Sequence, residues 1–197
     1  MPEQVFPGGR PASSGARVWD PYRSKLAAML VLGMPAGLRR DFDVLYLGAA
    51  AGSTAWHMCD MVRTVYAVEF SPKPMLKLIR LAEKRKNIIP IFADARHPGR
   101  YAGIVGRVNA IYQDVAQPEQ AAIAIANAGL LKPGGTLIAA LKARSIDAAC
   151  DPGQVLTAEV EKLKRMYSII CARDLMPYHI DHLGVIAVKN RSQEAEK

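Results

Sequence analysis

The segment from Val44 to Thr54 constrains the fold of this chain more than any other stretch. It reads V-L-Y-L-G-A-A-A-G-S-T. Four apolar or aromatic residues in a row predict a buried parallel strand. Gly48 and Gly52 then bracket a run of small residues, and Ser53 begins a pair of hydroxyl residues typical of a helix cap. The segment therefore predicts the opening strand, loop and helix of a nucleotide-type α/β sheet, where a ligand can lie against the backbone and meet free N–H groups.

The spacing within this loop excludes two common nucleotide-binding motifs. A dinucleotide fingerprint, G-x-G-x-x-G, needs glycine where this chain has Ala50, and a P-loop needs a lysine that the loop lacks. Glu69 follows Gly48 by 21 residues, at the end of a second apolar run. An acid at this distance can bind ribose hydroxyls. Without a pyrophosphate signature, we expect a nucleoside ligand that has no phosphates, and S-adenosylmethionine is the leading candidate.

The rest of the chain alternates apolar runs with helical patterns. This alternation predicts a doubly wound, mostly parallel sheet of seven strands with helices on both faces. The last two strands have a short connection, which indicates one antiparallel member. This is the α/β, Rossmann-like shape of class I methyltransferases. The predicted strands are 44–47, 64–69, 88–92, 108–112, 136–141, 168–174 and 183–189, and the predicted helices are 22–32, 53–62, 72–85, 118–130 and 155–166.

Charged side chains follow three of the predicted strands. Asp94, Asp114 and Lys142 would lie at the carboxyl edge of the sheet, where open α/β sheets bind ligands. Asp94 could accept a hydrogen bond from an adenine amino group, or it could simply cap a turn. Asp114 and Lys142 could pair and hold an ammonium at a reacting hydroxyl, or they could form a structural ion pair.

The charge balance suggests a polyanionic partner. The 197 residues hold 26 Lys and Arg against 18 Asp and Glu, a formal charge of +8. Such an excess favours nucleic acid, although it also serves solubility. Four basic residues share one face of the predicted helix 72–85, as either a solvated stripe or a surface that faces phosphates. They are Lys73, Lys77, Arg80 and Lys84.

The cysteine spacing bears on metal binding, and the hydropathy pattern bears on cellular location. The three cysteines have no C-x-x-C spacing, so we predict neither a zinc site nor a secreted disulfide scaffold. We find no signal-peptide pattern and no apolar run of about 18 residues that could cross a bilayer. We therefore expect a soluble intracellular protein.

Several blocks of this sequence resemble fibrillarin in the same order. Residues 17–28 read R-V-W-D-P-Y-R-S-K-L-A-A, similar to the family's R-V-W-x-P-x-R-S-K-L-A-A. Residues 46–54 resemble its Y-L-G-A-A-S-G-T-T loop, with Ala-Gly-Ser where Ser-Gly-Thr is usual. The resemblance runs from about residue 16 to about 189 and implies an S-adenosylmethionine-dependent RNA 2′-O-methyltransferase. Further matching blocks are 65–71, 87–91, 93–96, 113–118 and 141–143.

The resemblance also implies a setting for this enzyme. It implies the catalytic subunit of a box C/D guide ribonucleoprotein, with a Nop-type scaffold protein, a kink-turn-binding protein of ribosomal type and a guide RNA. The substrates would be ribosomal RNA and, in archaea, transfer RNA. The absence of a Gly/Arg-rich arm favours the archaeal form, which would be cytoplasmic, whereas a eukaryotic form would be nucleolar. We expect residues 1–16 to be a flexible lead-in, with the family's usual N-terminal β subdomain largely absent, and residues 17–197 to form the methyltransferase domain.

The resemblance implies roles for individual residues. The family's Lys-Asp-Lys-His constellation falls on Lys25, Asp114, Lys142 and His182. Our hypothesis has Asp114 as an anchor, Lys142 polarising the 2′-hydroxyl, Lys25 adding positive field and His182 helping to carry the proton away. We interpret the other three histidines, at positions 57, 97 and 179, as structural or surface residues. The implied cofactor contacts are Gly48, Gly52, Ser53, Thr54, Glu69, Phe70, Asp94, Ala95, Asp114, Val115, Ala116 and Gln117.

Two other functions remain open from the sequence. A class I methyltransferase of the same fold could act on a protein, and a non-catalytic subunit could keep the fold as a scaffold. The basic surface and the absence of a lid-like insertion argue against a small-molecule substrate. A scaffold would be expected to lose the lysines, the aspartate or the loop glycines, and this chain retains all of them.

Overall fold

One sheet of seven strands forms the centre of the protein, whose structure is a computed structural model that describes residues 18–190. The expectation for residues 1–16 lies outside the described residues. The strands are β1 (Asp43–Leu47), β2 (Thr64–Glu69), β3 (Ile88–Phe92), β4 (Val108–Gln113), β5 (Leu131–Lys142), β6 (Tyr167–Asp174) and β7 (His182–Lys189).

The strand order is β3-β2-β1-β4-β5-β7-β6. All neighbouring pairs from β3 to β5 are parallel, and β7 is antiparallel to both β5 and β6. The mostly parallel sheet with one antiparallel strand is as predicted, and that strand lies between β5 and β6. The direction of winding reverses between β1 and β4, and ligands in open α/β sheets bind beyond the strand ends at such a point.

Helices cover both faces of the sheet, as expected. On one face, α1, α2 and α3 bury residues such as Leu26, Met58 and Leu78. On the other face, α4, α5 and α7 bury residues such as Val105 and Ile123. Among residues 18–190, none of the helices has the length and apolar character that a membrane span requires. The helices are α1 (Lys25–Val31), α2 (Ser53–Met58), α3 (Pro72–Lys84), α4 (Ala102–Val105), α5 (Gln120–Asn127), α6 (Ala143–Ile146) and α7 (Pro152–Leu163), with 3-10 turns at Pro98–Arg100 and Ala128–Leu130.

The starts of the first two helices differ from the prediction. Asp20 does not cap α1, because its side chain accepts from the Tyr22 amide and its carbonyl closes a turn with Arg23. Ser24 is the cap, and its hydroxyl accepts from the Ala27 amide at 3.4 Å. At α2 the cap is Gly52, at φ +85°, so the two hydroxyl residues that follow it belong to the first turn.

The Pro-Gly-Gly sequence at 133–135 lies within β5 rather than before it. Val108 pairs with Leu131, whereas Ala110 pairs with Thr136, so residues 132–135 bulge out of the register. A Cβ atom on Gly135 would lie 2.9 Å from the carbonyl oxygen of Lys132. The bulge therefore needs glycine, and the strand continues on both sides of it.

Candidate active site

Gly48 brings the loop after β1 against the residues that follow β4. Its φ is +81°, and a Cβ atom there would lie 2.5 Å from the carbonyl oxygen of Asp114. The Asp114 amide in turn donates to the carbonyl of Leu47 at 3.0 Å. Only glycine satisfies both the positive φ and this close approach. The opening glycine of the motif therefore sets the floor of the site at the switch point.

Glu69 fastens the small-residue loop to the start of α3. Its side chain is 7% exposed. One carboxylate oxygen accepts from the Ala50 amide at 2.9 Å, and the other accepts from the Ser71 amide at 2.7 Å. Each oxygen keeps a second lone pair, so the carboxylate can still accept from a ligand hydroxyl. Ribose binding by Glu69 stays a prediction, and the structure adds a loop-holding role that the spacing did not suggest.

A cleft of about 510 Å³ opens above Gly48 and Glu69. This volume falls within the range of about 300 to 1,000 Å³ that is common for small-molecule sites. Most of the residues implied as cofactor contacts line it, together with Ala50, Ala93 and Pro118. The implied residues in the lining are Gly48, Glu69, Phe70, Ala95, Asp114, Val115, Ala116 and Gln117.

Three implied cofactor residues lie behind the loop instead. A Cβ atom on Gly52 would lie 2.8 Å from a methyl group of Leu78, so this glycine permits close packing of α2 on α3. Thr54 is buried, and its hydroxyl lies 3.0 Å from the hydroxyl of Ser24. Ser53 lines a second cleft, of about 670 Å³, between residues 18–24 and α2. These residues shape the loop from the side away from the cleft.

Asp94 is already engaged by a neighbouring arginine. The Arg96 guanidinium contacts both carboxylate oxygens, with a shortest distance of 2.6 Å, and the Arg96 amide donates at 2.9 Å. The hydrogen bond from this side chain holds the pKa of the Asp94 carboxyl below its ordinary value. Asp94 itself is not among the lining residues, although Ala93 and Ala95 on either side of it are.

Lys25 and Asp114 form an ion pair beside the cleft. The Lys25 Nζ lies 3.0 Å from one carboxylate oxygen and 3.1 Å from the other. The two side chains are only 22% and 20% exposed. The sequence suggested that Asp114 pairs with Lys142, whereas the lysine on Asp114 comes from the first turn of α1, 89 residues earlier.

Lys142 and His182 lie side by side, because they are directly paired residues of the neighbouring strands β5 and β7. Gln120, fully buried at the start of α5, brackets the Lys142 backbone: it accepts from the amide at 2.9 Å and donates to the carbonyl at 3.3 Å. The Gln113 side chain holds the Gln120 carbonyl at 2.8 Å. Sequence reasoning missed these two glutamines, and the only signal for Gln120 is its place directly before the apolar run 121–126.

The His182 ring is arranged to accept a proton. Its Nδ1 lies 2.6 Å from the carbonyl oxygen of Ile180, and a carbonyl can only accept. The geometry therefore assigns the hydrogen to Nδ1 and leaves the Nε2 lone pair available. Burial lowers the pKa of His182 below its ordinary value, and Lys25 and Lys142 lower it further. The neutral ring is thus favoured near neutral pH.

His179 also lies at this site, although the sequence interpretation made it structural. Its ring centroid is 5.6 Å from that of His182, and the planes are inclined by 52°. Burial and then the charge of Lys25 lower the pKa of His179, while Asp114 acts in the opposite direction. The backbone of residues 21–24 also faces this ring. No residue spacing indicates this position, because the loop between β6 and β7 determines it.

The basic residues of α3 are all exposed. Lys73, Lys77, Arg80 and Lys84 lie on the solvent side of the helix, while Met75 and Leu78 are buried against the sheet. This arrangement is compatible with both interpretations of the stripe.

Comparison with known proteins identifies relatives of this chain. The family model described as Fibrillarin matches residues 9–191. A protein of Methanoculleus marisnigri named fibrillarin-like rRNA/tRNA 2′-O-methyltransferase is 49% identical over 178 residues, which cover 90% of this chain and 89% of that protein.

Two solved structures are similar along nearly the whole chain. A fibrillarin/Nop5p complex superposes with a TM-score of 0.85 at 43% identity and covers 92% of this chain and 88% of that one. Fibrillarin of Aeropyrum pernix, with natively bound S-adenosyl-L-methionine, gives a TM-score of 0.79 at 40% identity and covers 92% and 85%.

Proposed function

Because this chain belongs to the fibrillarin family, we propose that it is an S-adenosylmethionine-dependent 2′-O-methyltransferase of ribosomal RNA and transfer RNA. The observation that carries the proposal is the Lys25–Asp114 ion pair beside the cleft above Gly48, which Asp114 lines. A nucleoside-sized cleft and a charge pair meet at the switch point of a class I methyltransferase fold. That arrangement suits transfer of a group from a bound nucleoside to a polar acceptor.

The cleft fits S-adenosylmethionine, which supplies a methyl group activated by a sulfonium. Gly48 leaves room against the backbone of Asp114, where any side chain would collide. Glu69 would accept from the ribose hydroxyls with its remaining lone pairs. Phe70, which is 50% exposed, would pack on the adenine, and Asp94 would accept from the adenine amino group.

The acceptor side of the site would handle the proton of the 2′-hydroxyl. This hydroxyl is a weak acid, so it needs a base or a cationic field to support the developing alkoxide. Asp114 anchors Lys25, whose charge favours negative charge nearby. Lys142 would polarise the hydroxyl, and the Nε2 lone pair of His182 would take up the proton. These roles match the chemistry of each group, and Gln120 fixes the backbone from which Lys142 extends.

The protein would work in a larger particle. A Nop-type scaffold protein is the partner best supported, because a similar protein is known in complex with Nop5p. We propose that a kink-turn-binding protein of ribosomal type and a box C/D guide RNA complete the particle, so that base pairing selects the target. We also propose that the particle is cytoplasmic, as expected for the archaeal form of the family.

Reconstitution tests this proposal. The full chain is combined with a Nop-type scaffold, a kink-turn-binding protein, a guide RNA and a complementary target, and 2′-O-methyl groups are mapped along the target by mass spectrometry. We expect one methyl group at one guide-selected nucleotide. A target with a 2′-deoxy sugar at that nucleotide is the matched control and should accept none.

Either of two results would contradict the proposal and favour a different function. Methyl transfer to a protein of the particle, with none to the RNA, would indicate a protein methyltransferase. Failure of the chain to bind S-adenosylmethionine in isothermal titration would indicate a non-catalytic scaffold subunit.

A further inference from the structure

The loop between β6 and β7, residues 175–181, is tied down at its base. The Leu175 amide donates to the His182 carbonyl at 3.0 Å, and the His179 amide donates to the Leu175 carbonyl at 3.1 Å. The Asp181 carbonyl accepts from the amide of Ala143 at 3.0 Å. These bonds fix where the His179 ring leaves the loop.

His179 lies next to two of the residues to which we assign acceptor roles. The His182 ring, on β7, is its neighbour, and Lys25, on α1, is within electrostatic range of both rings. Asp114, after β4, also faces His179, and Lys142, at the end of β5, faces His182. These are the charged and titratable groups around the two rings.

The Nε2 atom of His179 is buried and has no hydrogen-bond partner of normal geometry among residues 18–190, although the backbone of Pro21 and Ser24 lies close enough to raise the pKa of the ring. An unpaired buried nitrogen disfavours folding, so an apolar side chain of similar size would suit a purely structural position better. The edge contact between Tyr22 and Tyr178, with centroids 5.0 Å apart, already joins this loop to the segment before α1. The location of His179 therefore indicates a role toward the acceptor side of the site.

We propose that His179 is a positioning residue for methyl transfer, whose ring holds the neighbouring His182 ring in the orientation in which His182 contacts the Ile180 carbonyl. The inference rests on the proposed function. Without this ring, His182 could turn away from the Ile180 carbonyl. His179 would not touch the reacting atoms itself, so its effect should fall on turnover and on the pH dependence rather than on cofactor binding.

The test compares the full chain with two variants in the reconstituted particle. We expect His179→Ala to lower kcat about tenfold, less than the roughly 10²- to 10⁴-fold loss expected for a group that itself transfers the proton, while the Kd for S-adenosylmethionine changes less than twofold. His179→Gln restores comparable length and hydrogen-bonding capacity and should recover kcat to within about threefold. His97→Gln is the matched control, since His97 is exposed in the turn before Pro98, and it should behave as the unaltered chain.

The pH profile separates positioning from simple packing. His179 is one of the groups that disfavour a proton on His182. Glutamine carries no positive charge, so in His179→Gln the pKa of His182 should rise and the acid limb of kcat/KM should move to higher pH. An unmoved limb would show that the His179 ring does not act on His182.

The outcomes are distinct. Equal kcat and an unmoved acid limb in both variants would overturn the inference and leave the proposed function standing. An inactive unaltered chain in the same particle would overturn both. Should His179→Ala unfold in thermal denaturation, the kcat and acid limb of His179→Gln decide the question alone.

Discussion

The two halves of the site are built in different ways. The cofactor side, formed by Glu69 and the loop from Gly48 to Gly52, is held by backbone amides and by close backbone contacts. The acceptor side is formed by charged side chains from four separate segments, and its best-defined contact is the Lys25–Asp114 ion pair. The first half depends on shape and the second on charge. Substitutions on the two sides should therefore change different measured quantities.

Asp114→Ala should produce the largest effect. Loss of the carboxylate frees Lys25 and removes the anchor of the acceptor side, so we expect kcat to fall about 100- to 1,000-fold. The Kd for S-adenosylmethionine should rise less, by about tenfold at most, because the Asp114 backbone still packs on Gly48. Single-turnover methylation and isothermal titration measure the two quantities separately.

The control for Asp114→Ala is Asp41→Ala. Asp41 also pairs with a basic residue, Arg39, but both side chains are more than half exposed. Such surface pairs contribute about 0 to 1 kcal/mol, so kcat should not change. Unchanged turnover in Asp114→Ala as well would remove the ion pair from the mechanism.

Gly48→Ala should weaken cofactor binding and destabilise the fold. The new Cβ atom would lie 2.5 Å from a backbone oxygen, and neither strand end can move without breaking the sheet. We expect cofactor affinity to fall about 100-fold or more and the free energy of unfolding to fall by about 3 kcal/mol. Isothermal titration and urea denaturation measure these changes.

Gly33→Ala isolates the cost of backbone strain. Gly33 has a similar φ of +75°, but nothing lies within 4 Å of its Cβ position. The substitution should cost about 1 to 2 kcal/mol and leave cofactor affinity unchanged. Equal losses of affinity in the two variants would show that strain, and not the collision with Asp114, is responsible.

The difference between the cofactor side and the acceptor side explains which features could be predicted from the sequence. The loop from Gly48 to Gly52 follows its strand directly, so its place and its acid partner Glu69 could be predicted from a local pattern. The seven strands were predicted for the same reason. The caps were harder to predict, because Asp20 and Ser24 compete for the same helix start and the backbone turn at Asp20 decides between them.

The acceptor side could be predicted only in part. Asp114 and Lys142 follow strands, so their place at the edge was predictable, but the lysine that pairs with Asp114 comes from another element. Pairing over 89 residues depends on how α1 packs on the sheet, which leaves no local pattern. The position of His179 depends likewise on a loop conformation. Family resemblance supplied Lys25 and His182, and it gave no signal for His179.

Glu69→Gln should have an intermediate effect on the cofactor side. Each carboxylate oxygen of Glu69 accepts one hydrogen bond, from the Ala50 amide or the Ser71 amide. Glutamine replaces one of these oxygens with an NH2 donor. One hydrogen bond is therefore lost, and two donor groups are brought together. We expect a loss of about 1 to 3 kcal/mol in unfolding and about a tenfold weaker Kd for S-adenosylmethionine. Glu161→Gln, at an exposed position on α7, is the matched control. An unchanged Kd in Glu69→Gln would show that the loop keeps its shape without this carboxylate.

Arg96→Ala should have the smallest effect, and that effect should depend on pH. The Arg96–Asp94 pair is partly exposed, with side chains 50% and 20% accessible, so its contribution to stability should be about 0 to 1 kcal/mol. Because Arg96 lowers the pKa of Asp94, the native state gains stability at pH values above the unfolded pKa and loses it as the pH falls through the native value. Removing Arg96 lets the Asp94 pKa rise toward its ordinary value.

The variant carboxyl would therefore begin to take up a proton at a higher pH than in the unaltered chain. If Asp94 accepts from the adenine amino group, the affinity of Arg96→Ala for S-adenosylmethionine should match that of the unaltered chain near pH 7 and become weaker than it as the pH approaches about 4. Isothermal titration across this range, with the exposed Arg100→Ala as control, measures the difference. An affinity ratio that stays constant with pH would mean that Asp94 holds only Arg96, and the cofactor side would then depend on shape alone.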